Sequence, residues 1–123
     1  MSGEVIGIDH VQLAAPLGCE VEARRFFGEI LGLEEIEKPS VLAARGGVWF
    51  RVGAQHLHVG VEEEFAPARK AHPALRVDPN QIDDLAARLT GAGFAVEWDD
   101  ELAPLRRFYT ADPWGNRIEL IAA

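Results

Sequence analysis

Apolar and polar positions follow one order in the first half of the chain, and the same order then comes round again. Residues 5–15 alternate. Val5, Val11 and Leu13 take one face and Ile6, Ile8, His10 and Gln12 the other, which predicts a strand. Over residues 19–31, Ala23, Phe26, Phe27, Ile30 and Leu31 fall at helical spacing, and Gly32 supplies the stop. Residues 33–38 predict a short strand. Residues 47–52 and 55–62 predict two more, joined by a tight turn at Gly53-Ala54. In the last of these, Leu57, Val59 and Val61 alternate with His56, His58 and Gly60, the mark of a sheet with one apolar face and one working face.

Residues 63–71 are charged, hold Pro67 and read as a linker. Residues 72–78 then predict a strand with Leu75 and Val77 on one face and His72, Ala74 and Arg76 on the other. Asp78-Pro79-Asn80-Gln81 is a helix start, since Asp accepts from first-turn N–H groups and Pro suits the first helical position. Ile82, Leu85, Ala86 and Leu89 form the buried stripe, and Gly91 or Gly93 ends it. Strands are expected at 94–98, 106–111 and 116–121, with a turn at Asp112-Pro113-Trp114-Gly115 before the last. Each half therefore reads βαβββ. The expected organisation is one domain over 1–123, with a first module at about 4–62 and a second at about 72–123.

The repeat carries chemistry. His10 and His72 stand 62 positions apart. Gly32-Leu33 and Gly93-Phe94 stand 61 apart, as do His58 and Glu119. Each unit thus has a metal-ligand residue type near its start and another near its end, on the strand face away from the helices. Two imidazoles and a carboxylate suit Zn, Ni, Fe or Mn as divalent ions. His56 leaves the same sheet face as His58. The repeat favours His58, because its counterpart is Glu119 while that of His56 is Arg117; His56 is read as a rim histidine or a proton shuttle. Arg76 and Arg117, on the ligand face, suggest anchoring of a carboxylate, and Gln12 a polar contact. Cys19 is read as inert, and Trp49, Trp98 and Trp114 as core or interface.

Composition narrows the partners. Apolar residues make up 48% and charged residues 26%, ordinary for a globular chain, but the net charge is −8. That balance argues against nucleic acid, which needs a basic footprint, and against an anionic membrane surface. No apolar run is long enough to span a bilayer, and the start lacks the pattern of a signal peptide. One cysteine allows no internal disulfide, so a cytoplasmic location is expected.

The stretches Ile8-Asp9-His10-Val11-Gln12-Leu13, Arg25 through Leu33, His72 through Asp78 and Phe108 through Leu120 resemble the vicinal oxygen chelate superfamily. This is also called the glyoxalase/bleomycin-resistance/extradiol-dioxygenase superfamily. The resemblance spans nearly the whole chain. It implies an α+β fold in which two paired βαβββ modules form a half-open curved mixed sheet with helices on the outer face. It implies one divalent ion held by His10, His58, His72 and Glu119, with some members using only the positions of His10, His72 and Glu119. His58 stands where glyoxalase I enzymes usually carry a carboxylate. The implied activity is isomerase or lyase chemistry on a small-molecule substrate, the ion acting as a Lewis acid and Glu119 moving a proton, in a homodimer. The alternatives are a metal-free protein that sequesters a cationic ligand, as bleomycin-resistance members do, and a small ring-cleaving dioxygenase.

Overall fold

The computed structural model describes residues 3–123. The N-terminal half runs through β1 (His10–Ala15), β2 (Glu34–Ile36), β3 (Val48–Val52) and β4 (Gln55–Val61). The C-terminal half runs through β5 (Ala74–Val77), β6 (Glu97–Asp99), β7 (Arg107–Ala111) and β8 (Arg117–Ala122). They form two four-stranded mixed sheets, ordered β1-β4-β3-β2 and β5-β8-β7-β6. In each, the first strand of the half pairs parallel with the last, and the other pairs are antiparallel. Neither sheet closes on itself. The expected βαβββ repeat and α+β class are what the chain adopts.

The register makes the repeat exact at the working positions. Gln12 lies opposite His58 in the first parallel pair, and Ala74 lies opposite Glu119 in the second. His10 and His72 are each two residues earlier, at the same depth. In the antiparallel neighbours, Trp49 lies opposite His58 and Tyr109 opposite Glu119.

The helices cover the apolar faces. Helix α1 (Glu20–Ala23) runs on as a π-helical stretch over Arg24–Ile30, closed by the Leu31 N–H on the Phe26 carbonyl at 2.9 Å. A short helix α2 (Ser40–Ala43) follows β2, and α3 (Ile82–Gly91) connects β5 to β6. The wider π turn faces inward with Phe26 and Phe27, both fully buried against Phe50 and Phe94. One core joins the halves: Phe26, Phe50, Leu57 and Val59 are continuous with Leu89, Phe108, Ile118 and Leu120. No helix among the described residues is long and apolar enough to cross a membrane.

Several expected boundaries shift for local reasons. The first strand begins at His10, not at residue 5, because β4 offers ladder partners only from Gln55 onward; Val5 and Ile6 are left 88% and 96% exposed. β5 begins at Ala74, since Pro73 has no N–H to give the ladder. Helix α3 starts at Ile82: Asp78 instead closes a turn, accepting from the Asn80 N–H at 2.9 Å. The strand expected at 94–98 lies at Glu97–Asp99, because Phe94 and Val96 leave the ladder to pack on the core. α2 and the π turn have no counterpart in the sequence reading.

Asn116 ties the halves together. This buried side chain donates to the Ala14 carbonyl at 2.8 Å and to Asp112, and it accepts from the Ala68 N–H at 2.9 Å. One amide thus fastens the end of β1, the linker and the β7–β8 turn.

A candidate metal centre carried as two pairs

On the first sheet, strand alternation brings His10, His56 and His58 out on the face away from the helices. The His58 ring lies between two others. Trp49 stacks on one side at 3.7 Å and 2°, and His10 on the other at 4.2 Å and 19°. His58 is buried, and burial, with the neighbouring His10 and His56, pushes its pKa down to about 4. Its imidazole is therefore neutral at physiological pH, with a lone pair to offer. His56 Nδ1 lies 3.4 Å from His58 Nε2, a long contact. The Asp9 carboxylate meets His10 Nδ1 at 2.9 Å. Gln12 crosses Gly60, where an added Cβ would come within 2.6 Å of its amide nitrogen.

On the second sheet the contacts run through carboxylates and a guanidinium. His72 Nε2 meets Glu119 Oε1 at 2.9 Å, and His72 Nδ1 meets the Lys70 carbonyl at 2.8 Å. The other carboxylate oxygen of Glu119 accepts from Arg107 Nη1 at 3.2 Å, and Arg107 Nη2 reaches Asp99 at 3.3 Å. Tyr109 packs edge-on to His72 and carries the Arg117 guanidinium over its ring at 3.9 Å. Arg69, Arg117, Tyr109 and the carboxylate Glu97 line a hollow of about 200 Å³, with two cations to one anion.

The four expected ligands are therefore brought together two and two, His10 with His58 and His72 with Glu119. Among the described residues no three His, Cys, Asp or Glu side chains form one metal-sized group. Arg117 sits beside the second pair. Arg76 is exposed, borders a cleft of about 390 Å³ with Leu75, Val77 and Leu85, and makes no ion pair with Glu119. Cys19 is buried, and burial raises its thiol pKa, which keeps it inert.

The donors fit a divalent ion of the borderline class. A carbonyl and a carboxylate take Nδ1 of His72 and His10, the usual support of a metal-bound imidazole, which leaves Nε2 of each as the nitrogen for an ion, that of His72 facing Glu119 Oε1. Three side chains in the site escaped the sequence reading. Trp49 and Tyr109 were legible in principle, as strand aromatics 60 positions apart, one short of the 61 of the repeat. Arg107 was not, because its reach across the sheet depends on twist and rotamer.

No functionally curated protein matches the sequence. A glyoxalase family protein from Bacillus anthracis shares 50% identity over 99% of this chain and 98% of its own, with a TM-score of 0.92. A lactoylglutathione lyase from Agrobacterium tumefaciens has the same fold at 19% identity, covering 98% and 96%, with a TM-score of 0.76. A variant of the fosfomycin resistance protein FosX from Listeria monocytogenes, complexed with Mn(II) and dihydroxypropylphosphonic acid, is 17% identical over 97% and 93%, with a TM-score of 0.77. Residues 7–120 match the family model described as the Glyoxalase/Bleomycin resistance protein/Dioxygenase superfamily, and with the doubled βαβββ fold this makes the chain a member of that superfamily.

Proposed function

We propose that the protein is a divalent-metal-dependent isomerase or lyase of glyoxalase type, acting on a small anionic substrate, and that two copies complete each centre. His10 and His58 come from one copy, and His72 and Glu119 from a second. The observation that carries this reading is the matched register of the two pairs, Gln12 opposite His58 and Ala74 opposite Glu119, with the pairs held apart within one chain. The edge strands β1 and β5, which lead from His10 and His72, are unpaired on their outer sides, and exposed Val5, Ile6 and Ile8 precede β1. Both features suit a homodimer.

A bound divalent ion, of which Zn, Ni, Fe and Mn suit the donors, supplies Lewis-acid polarisation of substrate oxygens. The chain's own residues do the rest. Trp49 walls the His58 side and keeps water from it. Arg117, held flat on Tyr109, presents its edge N–H groups to a carboxylate or similar anion in the hollow shared with Arg69. Contacts with the remainder of the substrate are assigned to Gln12, opposite His58, and to Arg76, two positions beyond the ladder partner of Glu119. Glu119 serves first as a ligand. It would offer Oε1, the oxygen beside His72 Nε2, while Arg107 holds Oε2.

A second reading draws on the Trp49–His58–His10 stack. With the net charge of −8, that stack would suit a planar cation held without metal, as in ligand sequestration. Calorimetric titration of purified, untagged protein with Zn²⁺, Ni²⁺, Fe²⁺ and Mn²⁺ separates the two. Uptake near one ion per chain supports the enzyme. Absence of binding for all four ions leaves the sequestering reading.

A further inference from the structure

The C-terminal half contains a chain of polar contacts with no equivalent among the described residues of the N-terminal half. It starts at the Glu101 N–H, which donates to Asp99 Oδ1 at 2.9 Å. Asp99 accepts from Arg107, Arg107 donates to Glu119, and Glu119 meets His72. Asp99 and Arg107 face each other across β6 and β7, and the guanidinium then reaches diagonally to β8, two residues from its own ladder partner Ile121. Arg107 is 14% exposed in its side chain, and its Nε is buried without a partner. Leaving a buried donor unpaired costs about 1–3 kcal/mol. The guanidinium accepts that cost in order to span two carboxylates. At the matching place in the first sheet stands Gly47, one residue before Val48, where an added Cβ would lie 2.1 Å from the Val59 carbonyl oxygen. No side chain fits there, so nothing of this kind can hold His58.

We propose that Arg107 is a positioning residue that occupies one oxygen of Glu119 and so presents the other, alone, to the metal centre. The proposal rests on the metal reading given above. A free carboxylate can offer an ion one oxygen or two. With Oε2 bound by Nη1, only Oε1 remains for an ion, 2.9 Å from His72 Nε2, the donor with which it would share that ion. Asp99, itself fixed by the Glu101 amide, keeps the guanidinium from turning away.

Co²⁺ titration, read by visible absorption, tests this in wild type and in Arg107→Met, Arg107→Lys and Asp99→Asn. Thermal melting of the metal-free proteins confirms that each variant folds. Loss of a group that orients a metal ligand typically costs about 10–100-fold in affinity, and Arg107→Met is expected in that range. Its absorption band is also expected to change shape, because Glu119 is free to offer both oxygens. Arg107→Lys should recover part of the affinity and the band. Asp99→Asn, which leaves every proposed ligand and Arg107 in place, should weaken binding less, in the same direction. A merely structural ion pair would lower the melting temperature and leave the band unmoved. Wild-type affinity and an unchanged band in both Arg107→Met and Asp99→Asn overturn the positioning role while the metal centre stands. No uptake of Co²⁺ by wild type overturns both.

Discussion

On the working face of the N-terminal sheet the functional side chains are rings; on that of the C-terminal sheet carboxylates and a guanidinium surround the one imidazole. His10, His58 and Trp49 form one continuous stack, neutral at its centre, where burial keeps the His58 pKa near 4. Asp99, Arg107, Glu119 and His72 form one continuous line of charge-assisted contacts. The strand order and register of the two sheets are the same. Trp49 becomes Tyr109, Gly47 becomes Arg107 and His56 becomes Arg117 on one unchanged frame. A duplicated fold thus fixes where donors stand, while substitution at a few matched positions decides how each is held. Stacking holds an imidazole by its faces and leaves its edge open. A carboxylate has no face to stack on and needs a cation to set its direction.

The largest effect is expected from separating the two halves of the centre onto different chains. A chain carrying His10→Ala and His58→Ala and a chain carrying His72→Ala and Glu119→Ala should each bind no metal. Refolded together at equal amounts, half of the dimers pair one chain of each kind. Each such dimer joins one intact ring pair to one intact charged pair, so roughly a quarter of the centres return. Metal content of the mixture, measured after desalting, checks this. If the mixture stays empty while wild type binds, the pairs meet within one chain and the two-copy arrangement is wrong.

A smaller effect should mark the N-terminal half as the acid-sensitive one. His58 titrates near 4 in the folded protein and near 6.5 when unfolded. Between those values the unfolded chain binds a proton that the folded chain refuses. The stability contribution is therefore full above about pH 6.5 and is lost as pH falls toward 4, by an amount on the order of 2–3 kcal/mol. Among the described residues the groups around the ring are His10, His56 and Trp49, with Asp9 the nearby anion, and its effect opposes the shift. Urea unfolding of metal-free wild type and His58→Gln at about pH 7 and about pH 4.5 should show the wild type losing more stability across that interval. Equal losses would mean that His58 is not shielded as the stack implies.

The comparison also explains what could be seen in the sequence and what could not. The βαβββ order, the repeat and the ligand types were legible because periods of two and of 3.6 are written directly in apolar spacing. The matched offsets of His10 with His72 and of His58 with Glu119 survive in the ladders because both parallel pairs keep one register. The early strand start failed because alternation continues through Val5, Ile6 and Ile8 beyond the point where a partner strand exists. Arg107 was invisible for another reason: its partners are 8 and 12 positions away, and only sheet twist and side-chain reach bring them together. The division of the centre into two pairs lies at the level of how sheets face one another, which local spacing does not encode.

The smallest effect concerns His56, which alternation alone cannot tell from His58. The two rings leave one face of β4, with centroids 5.5 Å apart. Their surroundings differ. His58 is buried, sandwiched and opposite Trp49, at the place matched by Glu119. His56 is half-buried, opposite Arg51 and His10, at the place matched by Arg117, and it touches His58 only through the 3.4 Å contact to Nε2. On the second sheet that matched place holds a side chain that frames the site without ligating. His56→Ala should therefore weaken metal binding by no more than the roughly 10–100-fold of a supporting neighbour, and His58→Ala by more. Parallel titrations of the two variants give the ranking. The opposite order would make His56 the ligand, and would mean that the ion lies nearer the rim than the stacked ring of His58 does.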